Sequence, residues 1–225
     1  MITRRIENKR LKKMSKIKAV IFDMDGVLID AKEWHYEALN KALSLFGYEI
    51  SRYDHLITYD GLPTKKKLEM LSMERGLPER LHPYINMLKQ KYTIERVYMD
   101  CHPIFTHQYA LSKLKAEGYH LACASNSIRN SIQLMMEQSD LLQYLDFFLS
   151  NQDVVKSKPD PEIYIKSIEK LGLTPEECVV CEDNKNGIMA AKAAGAHVLE
   201  ISTVYDVNYD NIKNFIHSIE AKEVK

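Results

Sequence analysis

Cysteine is scarce in this 225-residue chain: there are four, without the spacing of a disulfide framework. In a chain this long they read as reduced thiols in a cytosolic setting. Long apolar runs are missing as well, and nothing approaches the roughly 18 consecutive apolar residues that a membrane span requires. The N-terminus is basic but no apolar stretch follows, so it does not read as a signal peptide. Net charge is absent in both directions, with 31 basic and 31 acidic side chains, which removes the bulk electrostatic argument for a nucleic-acid partner. Internal repeats and low-complexity segments are lacking too. An apolar fraction of 45% suffices for the core of one ordinary domain, or of one domain carrying a modest insertion.

The balanced total conceals an asymmetry. Residues 1–13 hold Arg4, Arg5, Lys9, Arg10, Lys12 and Lys13 against Glu7 alone, leaving the remainder acidic. A polybasic arm can contact membrane or nucleic acid; the plainer reading, a disordered tail over residues 1–16, is preferred.

What is present is an alternation. Short apolar runs at 19–22 ("AVIF"), 120–124 ("HLACA"), 147–150 ("FFLS"), 178–181 ("CVVC") and 197–201 ("HVLEI") are each followed by a helical pattern. Strands alternating with helices predict βαβ units and a parallel sheet, hence an α/β fold. Residues 31–98 break the rhythm, because helical patterns follow one another there with no convincing strand. The expected organisation is a tail at 1–16, a core made of 17–30 and 99–225, and an inserted helical cap at 31–98.

In open parallel sheets, ligands bind outside the carboxyl ends of the strands, so each strand exit carries information. In "IFDMDGVLID" (21–30) an apolar strand runs straight into Asp23 and Asp25. Carboxylates are costly to bury unpaired, and residues i and i+2 of an extended chain share a side. Both acids therefore point into one small volume. The second strand exits into Ser125-Asn126-Ser127, a hydroxyl ahead of a helix start whose N–H groups suit an anion. "VVKSKPDPEIY" places Lys158 just before a helix, and the fourth strand exits into Glu182-Asp183-Asn184.

The motifs "DMDGV", "ASN", "KSKPDPEIY" and "CEDNKNGIMAAKAAGA", in this order, resemble the haloacid dehalogenase superfamily. The branch most similar is that of the β-phosphoglucomutase-like and phosphoglycolate phosphatase-like enzymes, with a helical cap after the first strand. The resemblance spans residues 17 to about 202. It implies a Rossmann-like core and Mg²⁺-dependent hydrolysis of a small phosphorylated metabolite. On this resemblance Asp23 is the nucleophile that becomes an aspartyl-phosphate, and Asp25 is the general acid/base. Asp23 and Asp183, with a backbone carbonyl near Asp25, would ligate Mg²⁺, and Glu182 would be an outer or alternative ligand. Lys158, Ser125 and Asn126 would hold phosphoryl oxygens. His35 matches a histidine that contacts the catalytic acid in the β-phosphoglucomutase-like branch, and Thr64 and Lys65 of the cap loop complete the substrate contacts. Asp23, Asp183, Glu182 and a phosphate dianion carry five negative charges against three positive ones on Mg²⁺ and Lys158. The surplus is expected to raise the pKa of Asp25.

Three positions depart from the branch. Sugar phosphomutases carry threonine where Ala31 stands and arginine where Thr64 stands, so hydrolysis is favoured and a phosphomutase is the alternative. Ile104 replaces a glycine where the chain returns from the cap, predicting a stiffer hinge. Elsewhere the bland readings hold: Cys178 and Cys181 point to opposite faces of a strand as buried thiols, Trp34 is cap core, and Lys65-Lys66-Lys67 is a solvated helix face with Lys65 nearest to substrate. The expected protein is a cytoplasmic monomer without membrane or nucleic-acid partners.

Overall fold

Five parallel strands carry the site in the computed structural model, which describes residues 17–222. The tail expected over residues 1–16 lies outside the described residues. After β1 (Ala19–Phe22) come α1 (Lys32–Ser44), a short α2 (Arg52–Asp54) running into a π-helical turn at His55–Tyr59, α3 (Thr64–Arg75), α4 (His82–Asp100) and α5 (Phe105–Ala116). The chain then alternates: β2 (His120–Ala124), α6 (Arg129–Gln138), β3 (Phe147–Leu149), α7 (Glu162–Leu171), β4 (Cys178–Glu182), α8 (Lys185–Ala193), β5 (His197–Glu200) and α9 (Tyr209–Lys222). The sheet order is β3-β2-β1-β4-β5. Ile21 pairs with Ala122 on one side and with Val180 on the other. The order reverses between β1 and β4, which is where an open parallel sheet leaves a crevice for ligand.

The strands are apolar throughout because both faces are covered. Val20, Phe22, Leu121, Cys123, Val179 and Cys181 meet α5, α6 and α9 through Leu111, Leu114, Ile132, Met135, Ile212 and Ile216. Ile21, Ala122, Cys178 and Val180 meet Ile163, Tyr164, Ile168, Ala190 and Ala191 of α7 and α8. Cys178 and Cys181 thus serve opposite faces, buried and free. Burial of each large aliphatic or aromatic side chain contributes about 1.5–3 kcal/mol. With Val20, Ile21 and Phe22 fully buried, the exit of β1 is held rigidly.

Leu39, Leu43, Ile50, Tyr59, Leu68, Leu71, Leu77 and Ile85 form a third cluster, made by the helices between β1 and β2. Helix α4 runs on to Asp100, and its Val97 joins the cluster beside the sheet. Trp34 packs against that same cluster rather than the cap cluster, correcting its expected place. The first turn of α1 still lies over the loop that leaves β1. Ile104 sits in extended backbone, φ −103° and ψ 115°, a conformation open to any residue, so this bend does not call for glycine.

Candidate active site

The N–H of Asp23 donates to the Cys181 carbonyl at 3.0 Å, extending the β1–β4 ladder to the first acid. Its side chain is buried. Gly26 then turns the chain with φ +88°, and a Cβ there would strike the Asp183 carboxylate and the Lys32 side chain. Only glycine lets the two strand exits approach so closely.

Lys158 ties the strand exits together. Its ammonium lies 2.6 Å from Asp23 Oδ1, 2.6 Å from Glu182 Oε1 and 2.9 Å from the Ala124 carbonyl. Its three donors are thereby used. The Tyr164 ring lies 4.7 Å away, centroid to Nζ, and its hydroxyl donates to Glu182 Oε1 at 2.6 Å. Glu182 Oε2 accepts from the N–H groups of Asp183 and Asn184, at 3.1 and 3.2 Å. A Cβ at Gly187 would overlap this carboxylate, so the glycine of "DNKNG" makes room for Glu182. Burial alone would lower the Lys158 pKa, but Asp23 and Glu182 outweigh it and hold the group well above its ordinary value. Asp23 itself is pushed well above the carboxylate range, by burial first and Glu182 second, against the pull of Lys158.

Asp23, Glu182 and Asp183 each present an oxygen within 4.8 Å of the others'. The Asp183 side chain is 2% exposed and pairs with the Lys32 ammonium; its buried oxygens otherwise have no hydrogen-bond partner. Burial raises its pKa, against Lys32. Asp183 Oδ1, buried without a donor, together with the carboxylate oxygens converging on it from two strand exits, suits a hard oxygen-ligated dication. Mg²⁺ fits these residues.

Asp25 lines the same cavity as Asp23 but has partners of its own. Ser127 donates its hydroxyl to Oδ2 at 2.8 Å, and His35 Nε2 lies 3.0 Å from Oδ1. Lys89 Nζ stands 3.1 Å from His35 Nδ1, so with lysine donating there the ring proton sits on Nε2 and points at Asp25. Burial pushes the Asp25 carboxyl up, yet His35, Ser127 and Lys89 outweigh it and hold it below its ordinary value. This reverses the expectation of a raised pKa. The charge count from strand exits held three acids and one base; the helices between β1 and β2 add Lys32, Lys67 and Lys89.

A cavity of about 200 Å³ lies between cap and sheet, lined by Asp23, Asp25, Ser125, Lys158 and, from the cap, Thr64 and Lys65 among others. Ser125 is buried, and its hydroxyl accepts from the Ser127 N–H at 3.0 Å. Asn126 lines the cavity too, but its amide is engaged: Nδ2 donates to the Gly61 carbonyl at 3.3 Å and Oδ1 accepts from the Lys158 N–H at 3.2 Å. It joins the cap loop to the lysine loop. Thr64 is half-buried and Lys65 exposed at the start of α3. Lys66 points out toward Glu69, whereas Lys67 is buried against the cavity, so the triple lysine is not one solvated face.

Lys32 and Lys89 are not singled out by the sequence, Ser127 is named only as part of its strand exit, and Lys67 reads as solvated. For two of them a signal existed. Lys89 falls on the buried stripe Ile85, Lys89, Thr93, Val97 of α4, spaced at i+4, and Lys67 precedes Leu71 of α3 by four. A lysine on an apolar stripe is a cation taken inward.

Fold and site together define an α/β protein with a cluster of acids at the switch point of a parallel sheet. The chain belongs to the haloacid dehalogenase-like hydrolases: that family's sequence model matches residues 20–201. It is 30% identical over 187 residues to a phosphorylated carbohydrates phosphatase of Thermotoga maritima, covering 80% of this chain and 82% of that one. It is 29% identical over 202 residues to a phosphoglycolate phosphatase of Nitrosospira multiformis, covering 86% and 87%. The fold superposes on β-phosphoglucomutase of Clostridium difficile with a TM-score of 0.78 at 21% identity, over 91% and 99% of the two chains. No helix among the described residues is long and apolar enough to cross a membrane.

Proposed function

We propose that the protein is a Mg²⁺-dependent phosphatase hydrolysing a small organic phosphate monoester, such as a sugar, polyol or short-chain phosphate, through an aspartyl-phosphate on Asp23. The carrying observation is the Lys158 ammonium set 2.6 Å from both Asp23 and Glu182 at the sheet's switch point. Two relatives, 30% and 29% identical to the chain, are named for phosphorylated carbohydrates and phosphoglycolate.

In this reading an Asp23 oxygen attacks phosphorus, the ester P–O bond breaks, and Asp25 gives its proton to the departing alkoxide. Asp25 then takes a proton from water, the resulting hydroxide attacks phosphorus, and the Asp23–phosphorus bond breaks to release phosphate. Lys158 opposes negative charge on the phosphoryl oxygens, and Ser125 with the N–H groups ahead of α6 holds them. Asp23 and Asp183, with Glu182 as an outer ligand, would hold Mg²⁺, which would supply further positive charge to the phosphoryl group. Asp25 must be protonated in the first step. The cap bases lower its pKa, while the arriving phosphate dianion works the other way. The cavity of about 200 Å³ is below the roughly 300–1,000 Å³ of drug-sized ligand sites, which excludes bulky phosphoproteins.

The 3.0 Å contact of His35 with Asp25 supports a second reading, a sugar phosphomutase. Ala31 without a hydroxyl and Thr64 without a charge favour hydrolysis. A screen of phosphate esters with Mg²⁺ tests both, recording phosphate release and isomerised product separately. Phosphate release is expected. Isomerisation without release would move the assignment to the mutase, and turnover of no ester would overturn both.

A further inference from the structure

The cap turns several basic side chains toward the cavity: His35 of α1, His55 of the π-helical turn, Lys67 of α3 and Lys89 of α4. Lys89 is engaged by His35, and His35 by Asp25. Lys67 is 7% exposed, and its ammonium makes no hydrogen bond or ion pair among the described residues. Burial pushes its pKa down to about 8, with Asp60 and Asp25 pulling the other way. Its charge adds to the effect of burial in lowering His55 and Lys89.

The acids whose charge reaches Lys67 make their hydrogen bonds elsewhere. Asp60 accepts from the Asn184 amide at 2.9 Å, and Asp25 accepts from Ser127 and His35. Asp23, on the core side, accepts from Lys158. An ammonium on a side chain this far buried is unfavourable without a hydrogen-bonding partner of its own, and the neighbouring Lys89 makes it more so. The group that completes Lys67 has to come from the ligand and be anionic. It cannot be the reacting phosphate, which the core residues hold at the sheet end of the cavity; Lys67 faces from the cap. The geometry points to Lys67 as a specificity-determining residue that binds a carboxylate or second phosphate at the non-reacting end of the ester. The preferred substrate is then a short phosphomonoester with two anionic ends. This deepens the phosphatase reading and rests on it for the reacting end alone.

Equilibrium binding of inert phosphonates tests the inference without turnover. Calorimetric titration with Mg²⁺ present compares methylphosphonate with phosphonoacetate and ethane-1,2-diphosphonate, on the full chain and on Lys67→Met. The wild type should bind at least one doubly anionic ligand about tenfold or more tighter than methylphosphonate, and Lys67→Met should reduce that ratio to below about threefold. Lys67→Arg should keep most of it, and Lys67→Gln reads the same ratio if the methionine variant does not fold. Preference for phosphonoacetate identifies a carboxylate, and preference for the diphosphonate a second phosphate. A wild-type ratio near one, a ratio surviving Lys67→Met, or no binding of any phosphonate would overturn the assignment. The ratio with no ester hydrolysed would leave the anion subsite standing and sink the phosphatase; phosphate release with the ratio absent would do the reverse.

Discussion

The Asn184 amide donates to the Asp60 carboxylate at 2.9 Å across 124 residues of chain. One residue is at the exit of β4 and the other is in the cap loop. Asn126 adds its donation to the Gly61 carbonyl at 3.3 Å, so two core side chains fasten the cap loop over the cavity. The same Asn184 caps α8, its Oδ1 accepting from the Asn186 N–H at 2.9 Å.

Asn184→Asp retains an acceptor for that cap but sets a carboxylate against Asp60. The cap should be pushed open, and kcat/KM for a small ester should fall by about tenfold. Adding Asp60→Asn restores one donor-acceptor pair and should recover part of the loss. Steady-state kinetics on the two single variants and the double variant check this; unchanged kcat/KM in Asn184→Asp would remove the latch from the account.

Asp23→Asn should leave the fold intact and stop turnover, because an amide is a poor nucleophile. Circular dichroism verifies the fold, and phosphate release on contaminant-free protein verifies the loss. Retention of more than about one per cent of wild-type kcat would mean that another group attacks phosphorus.

Asp25→Asn should cost roughly 10²–10⁴ in rate, and the cost should depend on the leaving group. p-Nitrophenolate departs without a proton, whereas an alkoxide does not. Equal losses on p-nitrophenyl phosphate and an alkyl phosphate would argue against a proton donor at Asp25.

Chelation by EDTA should abolish activity and Mg²⁺ should restore it. Ca²⁺ should inhibit, since it takes more ligands at longer distances. Asp183→Ala should behave as the chelated protein does. Full rescue of that variant by excess Mg²⁺ would show that Asp183 is not a principal ligand.

His107 bears on stability rather than turnover. It is 1% exposed, with Nε2 2.7 Å from the Val204 carbonyl. Burial lowers its pKa, against the carbonyls of Val204 and Leu28. The unfolded chain then binds the proton more readily than the folded one. The contribution of His107 is complete above the unfolded value of about 6.5 and is lost as pH falls toward and through the folded value. Urea midpoints at pH 7.5 and 5.5 should differ less for His107→Gln than for the wild type; an equal difference would refute the assignment.

Much of this molecule follows from local sequence. Apolar runs such as "AVIF" and "CVVC", alternating with helical patterns, read as strands covered on both faces, and the i, i+2 spacing of Asp23 and Asp25 places two acids at one strand exit. The strand exits, read together with the family resemblance, single out Lys158, Glu182 and Asp183. The charge state of Asp25 was not legible, because it is the sum of fields from His35 and Lys89, which meet only when α1 and α4 pack together. The engagement of Asn126 with Gly61, the inward turn of Lys67 and the pairing of Lys32 with Asp183 have the same origin. A side chain's covalent chemistry and its place on a helix or strand are local properties. Its electrostatic surroundings are set by elements far away in the chain, and only the tertiary structure decides them.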